Sequence, residues 1–221
     1  VTWSLLESLD DEERRQVLAT AIRRRFARRE VLFHRGDPGD TLHLLTSGTV
    51  AVYVATPLGN MAIFGLFGAG EAVGEMALID TGERTATAIA LEPTETLSIR
   101  RDQFDALRRR HPEIDRVLVQ LLAERVRRQN VALIDAYFTA ADTRVVRRLL
   151  SIAERLPESD GVVRIRLTQE DLATLAGTTR PTANKVLREF ERQGILDLRR
   201  GQIVVLSLER LRSRVRGGLA A

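Results

Sequence analysis

Cysteine is absent from this chain of 221 residues. That absence excludes disulfides, thiolate-held zinc and cysteine-ligated iron–sulfur clusters. Histidine is scarce: His34, His43 and His111 stand far apart, and each reads better as a strand or surface residue than as a metal ligand. No run of about 18 apolar residues offers a membrane span, and no signal-peptide pattern opens the sequence. The chain thus reads as soluble and cytoplasmic, without a membrane partner. Paired carboxylates, a metal cluster and a nucleophile set beside a base are also missing. No catalytic or metal-binding residue is therefore assigned, and an enzyme is the poorest reading. Lysine is nearly missing too, with Lys185 alone among 34 basic residues.

The charge that is present is unevenly placed. The net charge is +4, yet residues 140–221 hold fifteen Arg and one Lys against ten acidic residues. That excess of +6 leaves residues 1–139 at −2. A positive carboxy-terminal part is the natural nucleic-acid end. At 44% hydrophobic content, a chain of this length suits one large or two modest domains with ordinary cores.

Residues 4–21 read as one helix, with Leu5, Leu6, Val17, Leu18 and Ile22 on its apolar side and Asp10-Asp11-Glu12-Glu13 as an acidic turn. From residue 24 to about 101, short β-prone segments alternate with turns at Gly36-Asp37-Pro38-Gly39, Ser47-Gly48, Leu58-Gly59-Asn60 and Gly68-Ala69-Gly70. Val50, Val52 and Val54 alternate as a half-buried strand does. Regular short strands at this spacing predict a β-sandwich or jelly roll.

Residues 73–86, Val-Gly-Glu-Met-Ala-Leu-Ile-Asp-Thr-Gly-Glu-Arg-Thr-Ala, interrupt this β region near its end. Gly74 lets the backbone approach a phosphate without a side chain in the way. Glu75 can accept from a ribose 2′-hydroxyl, and Met76 begins a short apolar turn. Arg84 can pair with a cyclic phosphate, and the Thr85 hydroxyl adds a donor. A glycine turn with a surface Glu–Arg pair is the plain alternative. The complete string fits a cyclic nucleotide better than either dipeptide alone would.

Residues 102–110 form a short predicted helix, and Pro112 opens a longer one that runs to about residue 138. Ile114, Val117, Leu118, Leu121, Leu122, Arg125, Val126, Leu133, Ile134 and Tyr137 make a stripe near heptad spacing. This predicts a dimer-forming coiled coil, with an ordinary core-packing helix as the alternative. Gln129 and Asn130 interrupt the stripe. Within a coiled coil such polar residues set the register, and an Asn amide can both donate and accept.

Asp142 or Thr143 can cap the next helix, and residues 162–167 alternate as a strand. Thr168-Gln169-Glu170-Asp171 then reads as a capping box, and Gly177 ends that helix. A second helix starts at Arg180 with Pro181 in its first turn, and two short strands joined by Arg199-Arg200-Gly201-Gln202 follow as a wing. The composite is a winged helix-turn-helix. Arg180, at the start of the second helix, suits guanine N7 and O6. Lys185 can reach a base edge or a phosphate, while Thr168, Gln169, Thr179 and Thr182 are phosphate contacts that fix register. Arg210, Arg212, Arg214 and Arg216 read as a solvated charge run.

Both informative stretches resemble the superfamily of the cyclic-AMP receptor protein and the fumarate–nitrate reductase regulator. The skeleton Gly74-Glu75-x-x-Leu78…Arg84-Thr85-Ala86 resembles its phosphate-binding cassette, and residues 167–187 resemble its DNA-binding helices, in the expected order and separation. The resemblance implies an α+β fold. Residues 1–111 would form a cyclic-nucleotide-binding β jelly roll, 112–138 a dimerisation helix and 139–221 a winged helix-turn-helix. It further implies cyclic AMP as allosteric ligand, with Glu75 on the ribose, Arg84 on the phosphate and Gln129 and Asn130 on the purine. The implied partners are a second copy of the chain, a pseudo-palindromic operator in double-stranded DNA, and RNA polymerase. The same regulator with an altered or empty pocket, or one responding to cyclic GMP or another nucleotide, stays open. In the best-known members a Glu follows the reading Arg and contacts cytosine; Pro181 stands there in this chain. A member that senses oxygen through a cysteine-held cluster is excluded.

Overall fold

The computed structural model describes residues 1–55, 61–80, 82–156 and 158–217. The expected turn at Leu58-Gly59-Asn60, Thr81 within the glycine-flanked string, Pro157 and the Arg216 side chain lie outside the described residues. The chain divides into two compact units, Val1–Gln129 and Asn130–Ala221. The division falls within the long helix.

The first unit opens with a 3₁₀ turn, Ser4–Leu6, followed by α1, Asp11–Thr20. The expected single helix over residues 4–21 is thus two pieces. Asp10 is the cause: its side chain accepts from the Glu13 N–H at 2.8 Å while Glu13 accepts from the Asp10 N–H at 3.0 Å, a reciprocal cap that starts a fresh helix. Leu5 and Leu6 are buried ahead of it, and the Trp3 indole N–H donates to the Leu45 carbonyl at 2.9 Å. Ile22, expected on the helix, begins a strand.

Eight strands follow: β1 Ile22–Phe26, β2 Val31–Phe33, β3 Thr41–Ser47, β4 Val50–Ala55, β5 Met61–Phe67, β6 Ala72–Val73, β7 Thr87–Ala90 and β8 Thr94–Arg100. A short helix, α2 Glu75–Ile79, separates β6 from β7. The strands pair antiparallel in two four-stranded sheets, ordered β1-β8-β3-β6 and β2-β7-β4-β5. Leu45 and Val73 of the first sheet pack with Val50, Phe67 and Ala88 of the second, so a core lies between the sheets. Because successive strand side chains alternate, Leu42 and Leu44 point the other way. They join a second core with Leu5, Leu6, Leu78, Phe104 of α3 (Arg101–Arg110) and Ile114 and Leu118 of α4 (Glu113–Phe138). Fully burying each such leucine is worth about 1.5–3 kcal/mol.

This packing splits the apolar stripe of α4. Ile114 and Leu118 belong to the core, with Val117 and Leu121 against them, whereas Val126, Leu133, Ile134 and Tyr137 are exposed.

In the second unit, α5 (Ala141–Ala153) begins after Ala140, which caps without a side-chain bond. Asp142 and Thr143, the two expected caps, both sit inside the first turn, where Asp142 accepts from the Thr143 N–H at 2.7 Å. The strands β9 (Glu158–Ser159) and β10 (Val162–Ile165) lead to α6 (Gln169–Leu175) and α7 (Arg180–Arg192). The hairpin β11 (Leu196–Arg199) and β12 (Gln202–Val205) completes a sheet of order β11-β12-β10-β9. The last helix, α8 (Leu208–Gly217), carries the terminal arginines. Arg210 donates to the Gln193 carbonyl at 2.8 Å and Arg212 pairs with Glu154 at 2.8 Å. These two therefore tie α8 to its neighbours, beyond the solvated role expected for them. Among the described residues, no helix is long and apolar enough to cross a membrane.

Candidate nucleotide pocket and nucleic-acid interface

The pocket is built around one glycine and one arginine. Gly74 caps α2 with φ +93°, a conformation L side chains rarely adopt. A Cβ there would lie 2.5 Å from Arg84 Nη1 and 3.1 Å from the Thr41 carbonyl. The absent side chain is what lets Arg84 close on the turn. Arg84 Nη1 donates to the Gly74 carbonyl at 2.9 Å, and Nη2 donates to the Thr41 carbonyl and Oγ1 at 2.7 and 2.8 Å. Its guanidinium lies 4.2 Å from the Phe33 ring centroid.

Arg84 is only 3% exposed, its Nε has no hydrogen-bond partner, and every acceptor it does use is neutral. Among the described residues, no carboxylate forms an ion pair with it. Burial draws its pKa below the usual arginine value, opposed by the charges of Asp40, Glu75 and Asp37 at longer range. The guanidinium stays protonated, so the pocket holds a desolvated positive charge.

Glu75, 5% exposed, faces the same space. Its Oε1 accepts a short charge-assisted bond from Arg125 Nη1, and the Arg125 guanidinium lies 5.0 Å from the Phe67 ring centroid. The far end of α2 is held by Arg101, which donates to the carbonyls of Ala77 at 2.5 Å, Leu78 at 3.1 Å and Gly39 at 2.6 Å. The cleft offers about 340 Å³ of space, open to solvent. Phe33, Val52, Phe67 and Val73 make its apolar wall; Gly74, Glu75, Met76, Arg84, Thr85 and Arg125 supply its polar and cassette side.

Five expected residues, Gly74, Glu75, Met76, Arg84 and Thr85, therefore meet in one cleft. Gln129 and Asn130 do not line it; both are exposed on α4 and make no polar contact among the described residues. Arg125 and Arg101 were not singled out by their sequence. The one signal for Arg125 was a charged residue standing in an apolar stripe.

In the second unit, Thr168 and Asp171 form the expected capping box. Thr168 Oγ1 accepts from the Asp171 N–H at 3.1 Å and donates to Asp171 Oδ2 at 2.7 Å, and the Thr168 N–H also donates to that carboxylate. The Thr168 hydroxyl is thus engaged with Asp171 at the start of α6. Gly177 takes the left-handed turn at φ +58°. Thr179 caps α7, its Oγ1 accepting from the Thr182 N–H at 3.4 Å and lying 3.0 Å from Thr182 Oγ1. Ala183 and Leu187 bury one side of α7, while Arg180, Pro181 and Lys185 are exposed. Arg180 and Lys185 have no polar partner among the described residues. Gln169 accepts from Asn184 Nδ2 at 2.6 Å. Arg144, another residue missed in the sequence, fixes the interhelical turn. It donates to the carbonyls of Ala176 at 2.9 Å, Gly177 at 2.8 Å and Thr139 at 2.7 Å. Glu191 joins α7 to the wing by accepting from the Leu198 N–H at 3.0 Å, and its bonds to Arg188 and Leu198 hold its pKa below the usual carboxylate value.

Comparison with known proteins agrees with both halves. Residues 23–111 match the cyclic nucleotide-binding domain, and residues 143–214 match the Crp-like helix-turn-helix domain. The chain is 35% identical over 201 residues to the cyclic AMP receptor protein of Thermus thermophilus, covering 91% of each. It is 34% identical over 194 residues to the CRP-like cAMP-activated global transcriptional regulator of Mycobacterium tuberculosis, covering 86% of this chain and 87% of that one. Among solved structures, the c-di-GMP responsive global regulator CLP of Xanthomonas campestris superposes with a TM-score of 0.76 at 26% identity, over 89% of this chain and 99% of the other. The Thermus thermophilus catabolite activator protein gives 0.55 at 33% identity, over 97% and 99%. With a nucleotide-binding β-sandwich, a long helix and a helix-turn-helix in this order, the chain belongs to the cyclic-AMP receptor protein and fumarate–nitrate reductase regulator family, whose members are DNA-binding transcription regulators and not enzymes.

Proposed function

We propose that this chain is a homodimeric regulator that binds cyclic AMP in the cleft lined by Gly74 and Arg84 and, so loaded, binds a pseudo-palindromic operator. The observation that carries this is Arg84: a guanidinium 3% exposed, with one N–H unpartnered and no carboxylate paired to it among the described residues. A buried charge without a counter-charge is costly, and a ligand phosphate supplies one. Glu75 gives Oε1 to Arg125 and keeps Oε2 for the ribose 2′-hydroxyl. Thr85 adds a donor, Met76 lies against it, and Phe67 and Val52 face the apolar part of the ligand. Gln129 and Asn130, exposed on α4 and without a side-chain partner among the described residues, are the candidates for the purine.

Val119, Val126 and Leu133, seven residues apart on α4, are 65%, 54% and 56% exposed. Such a heptad row is covered by the same row of a second copy. On DNA, Arg180 reads guanine and Lys185 a base edge or phosphate, while Thr179, Thr182 and Gln169 lie toward the backbone. The ligand acts by binding the DNA-competent arrangement better than the other. The regulator works in the cytoplasm, with RNA polymerase as the protein through which it changes transcription. Calorimetric titration with cyclic AMP, cyclic GMP and cyclic di-GMP tests the pocket assignment. Cyclic AMP is expected to bind tightest; saturation by neither cyclic mononucleotide would overturn it.

A further inference from the structure

The recognition helix carries a polar residue whose chemistry is only half used. Asn184 lies one turn beyond Arg180. At about 100° per residue, it falls between Arg180 and Lys185 around the helix, within the arc they present. Asn184 is half-buried, and so is Gln169 of α6, whose Oε1 it meets across 2.6 Å. That bond takes one of the two Nδ2 hydrogens. The second hydrogen and Oδ1 have no protein partner among the described residues. An amide with one donor and one acceptor still open matches adenine, which presents the N7 acceptor and the N6 donor in the major groove. A solvent-facing asparagine would rotate freely; Gln169 fixes this one about its terminal torsion, so donor and acceptor keep their places.

We propose that Asn184 reads an adenine in each half-site and that Gln169 is the positioning residue that orients its amide. The rise over four residues, about 6 Å, sets that adenine within about two base-pair steps of the base contacted by Arg180. This rests on the helix-turn-helix docking in the major groove through α7. Gln169 then acts through Asn184 in addition to any contact with the backbone.

Binding-site selection from a randomised half-site, using the full-length protein with cyclic AMP present, tests it. Wild type is expected to enrich adenine at one position near the Arg180-dependent guanine. Asn184→Ala should flatten that position alone and lose roughly tenfold in affinity on the selected site, with little change on random DNA. Asn184→Asp, which keeps only acceptors, should shift the preference from adenine to cytosine. Gln169→Ala should blur the adenine preference, whereas Gln169→Glu, which retains the acceptor, should keep it while weakening all sequences alike. Replacing the adenine by 7-deaza-adenine should cost wild type affinity and leave Asn184→Ala indifferent. If Asn184→Ala enriches the same site with equal stringency, Asn184 is only a staple between α6 and α7 and the proposal fails on its own. If Gln169→Ala leaves the adenine preference intact, the positioning role fails. A wild type that enriches no sequence overturns the proposal together with the DNA-docking reading.

Discussion

Glu75 and Arg125, fifty residues apart, form an ion pair at the rim of the nucleotide cleft, with the Glu75 side chain 7% exposed. The carboxylate that lines the cleft is thereby held by α4, the helix that also carries the exposed apolar row. Removing one member of a buried pair leaves the other charge stranded.

Arg125→Leu should therefore destabilise the first unit by about 3 kcal/mol, whereas the Glu75→Gln, Arg125→Leu double variant should recover much of that loss. Urea unfolding of the four proteins in the cycle measures the coupling, expected at about 0.5–3 kcal/mol. Additive effects would mean that the pair contributes nothing beyond its separate side chains.

His43 gives a pH-dependent term. Its ring is buried between the sheets, 3.1 Å from Thr96 Oγ1 and beside the Phe26 and Phe33 rings. Burial, then the charges of Arg84 and Arg24, lower its pKa to about 4, against a smaller opposite pull from Asp40. The unfolded chain binds a proton at His43 near pH 6.5, while the folded chain refuses it until about pH 4. Stability is thus fully present above pH 6.5 and falls as the pH drops through this window, by at most about 3 kcal/mol from this residue. In His43→Gln that component should vanish. Unfolding free energies of both proteins from pH 7 to 4 should converge toward acid; a constant gap would remove His43 as the cause.

The dimer prediction moves to the carboxy-terminal half of α4. Charged residues at Leu118 or Leu121 would strike the core, since Leu118 is 3% exposed and Leu121 packs against it. Val126→Glu with Leu133→Glu instead alters only exposed positions. Sedimentation at micromolar concentration should show a folded monomer; a dimer of wild-type strength would place the interface elsewhere.

These outcomes show what the sequence made legible. Thr168 and Asp171 are three residues apart, and Gly74 abuts its helix, so local chemistry was readable from spacing. Asp10 and Glu13 were equally local, but Leu5 and Leu6 suggested a helix continuing through them; in the fold they are buried ahead of the cap. Arg125 was hidden because its partner lies fifty residues away and nothing in helical periodicity encodes a long-range pair. The stripe on α4 showed that one face is apolar but not what covers it. The core takes Ile114 and Leu118, and nothing among the described residues covers Val126 or Leu133. Arg144 and Arg101 hold carbonyl groups, which every residue carries, so no motif marks their targets.

Nucleotide in the Arg84 cleft should change the affinity for DNA. Fluorescence anisotropy with a labelled selected operator, with and without saturating cyclic AMP, measures this in wild type and in Arg84→Ala. Wild type should bind the operator at least tenfold tighter with cyclic AMP. In Arg84→Ala the nucleotide response should require roughly tenfold to hundredfold more ligand, the loss expected for one charge-assisted contact of about 1.5–3 kcal/mol. Equal operator affinity with and without cyclic AMP in wild type, or an unaltered ligand response in Arg84→Ala, would contradict this reading.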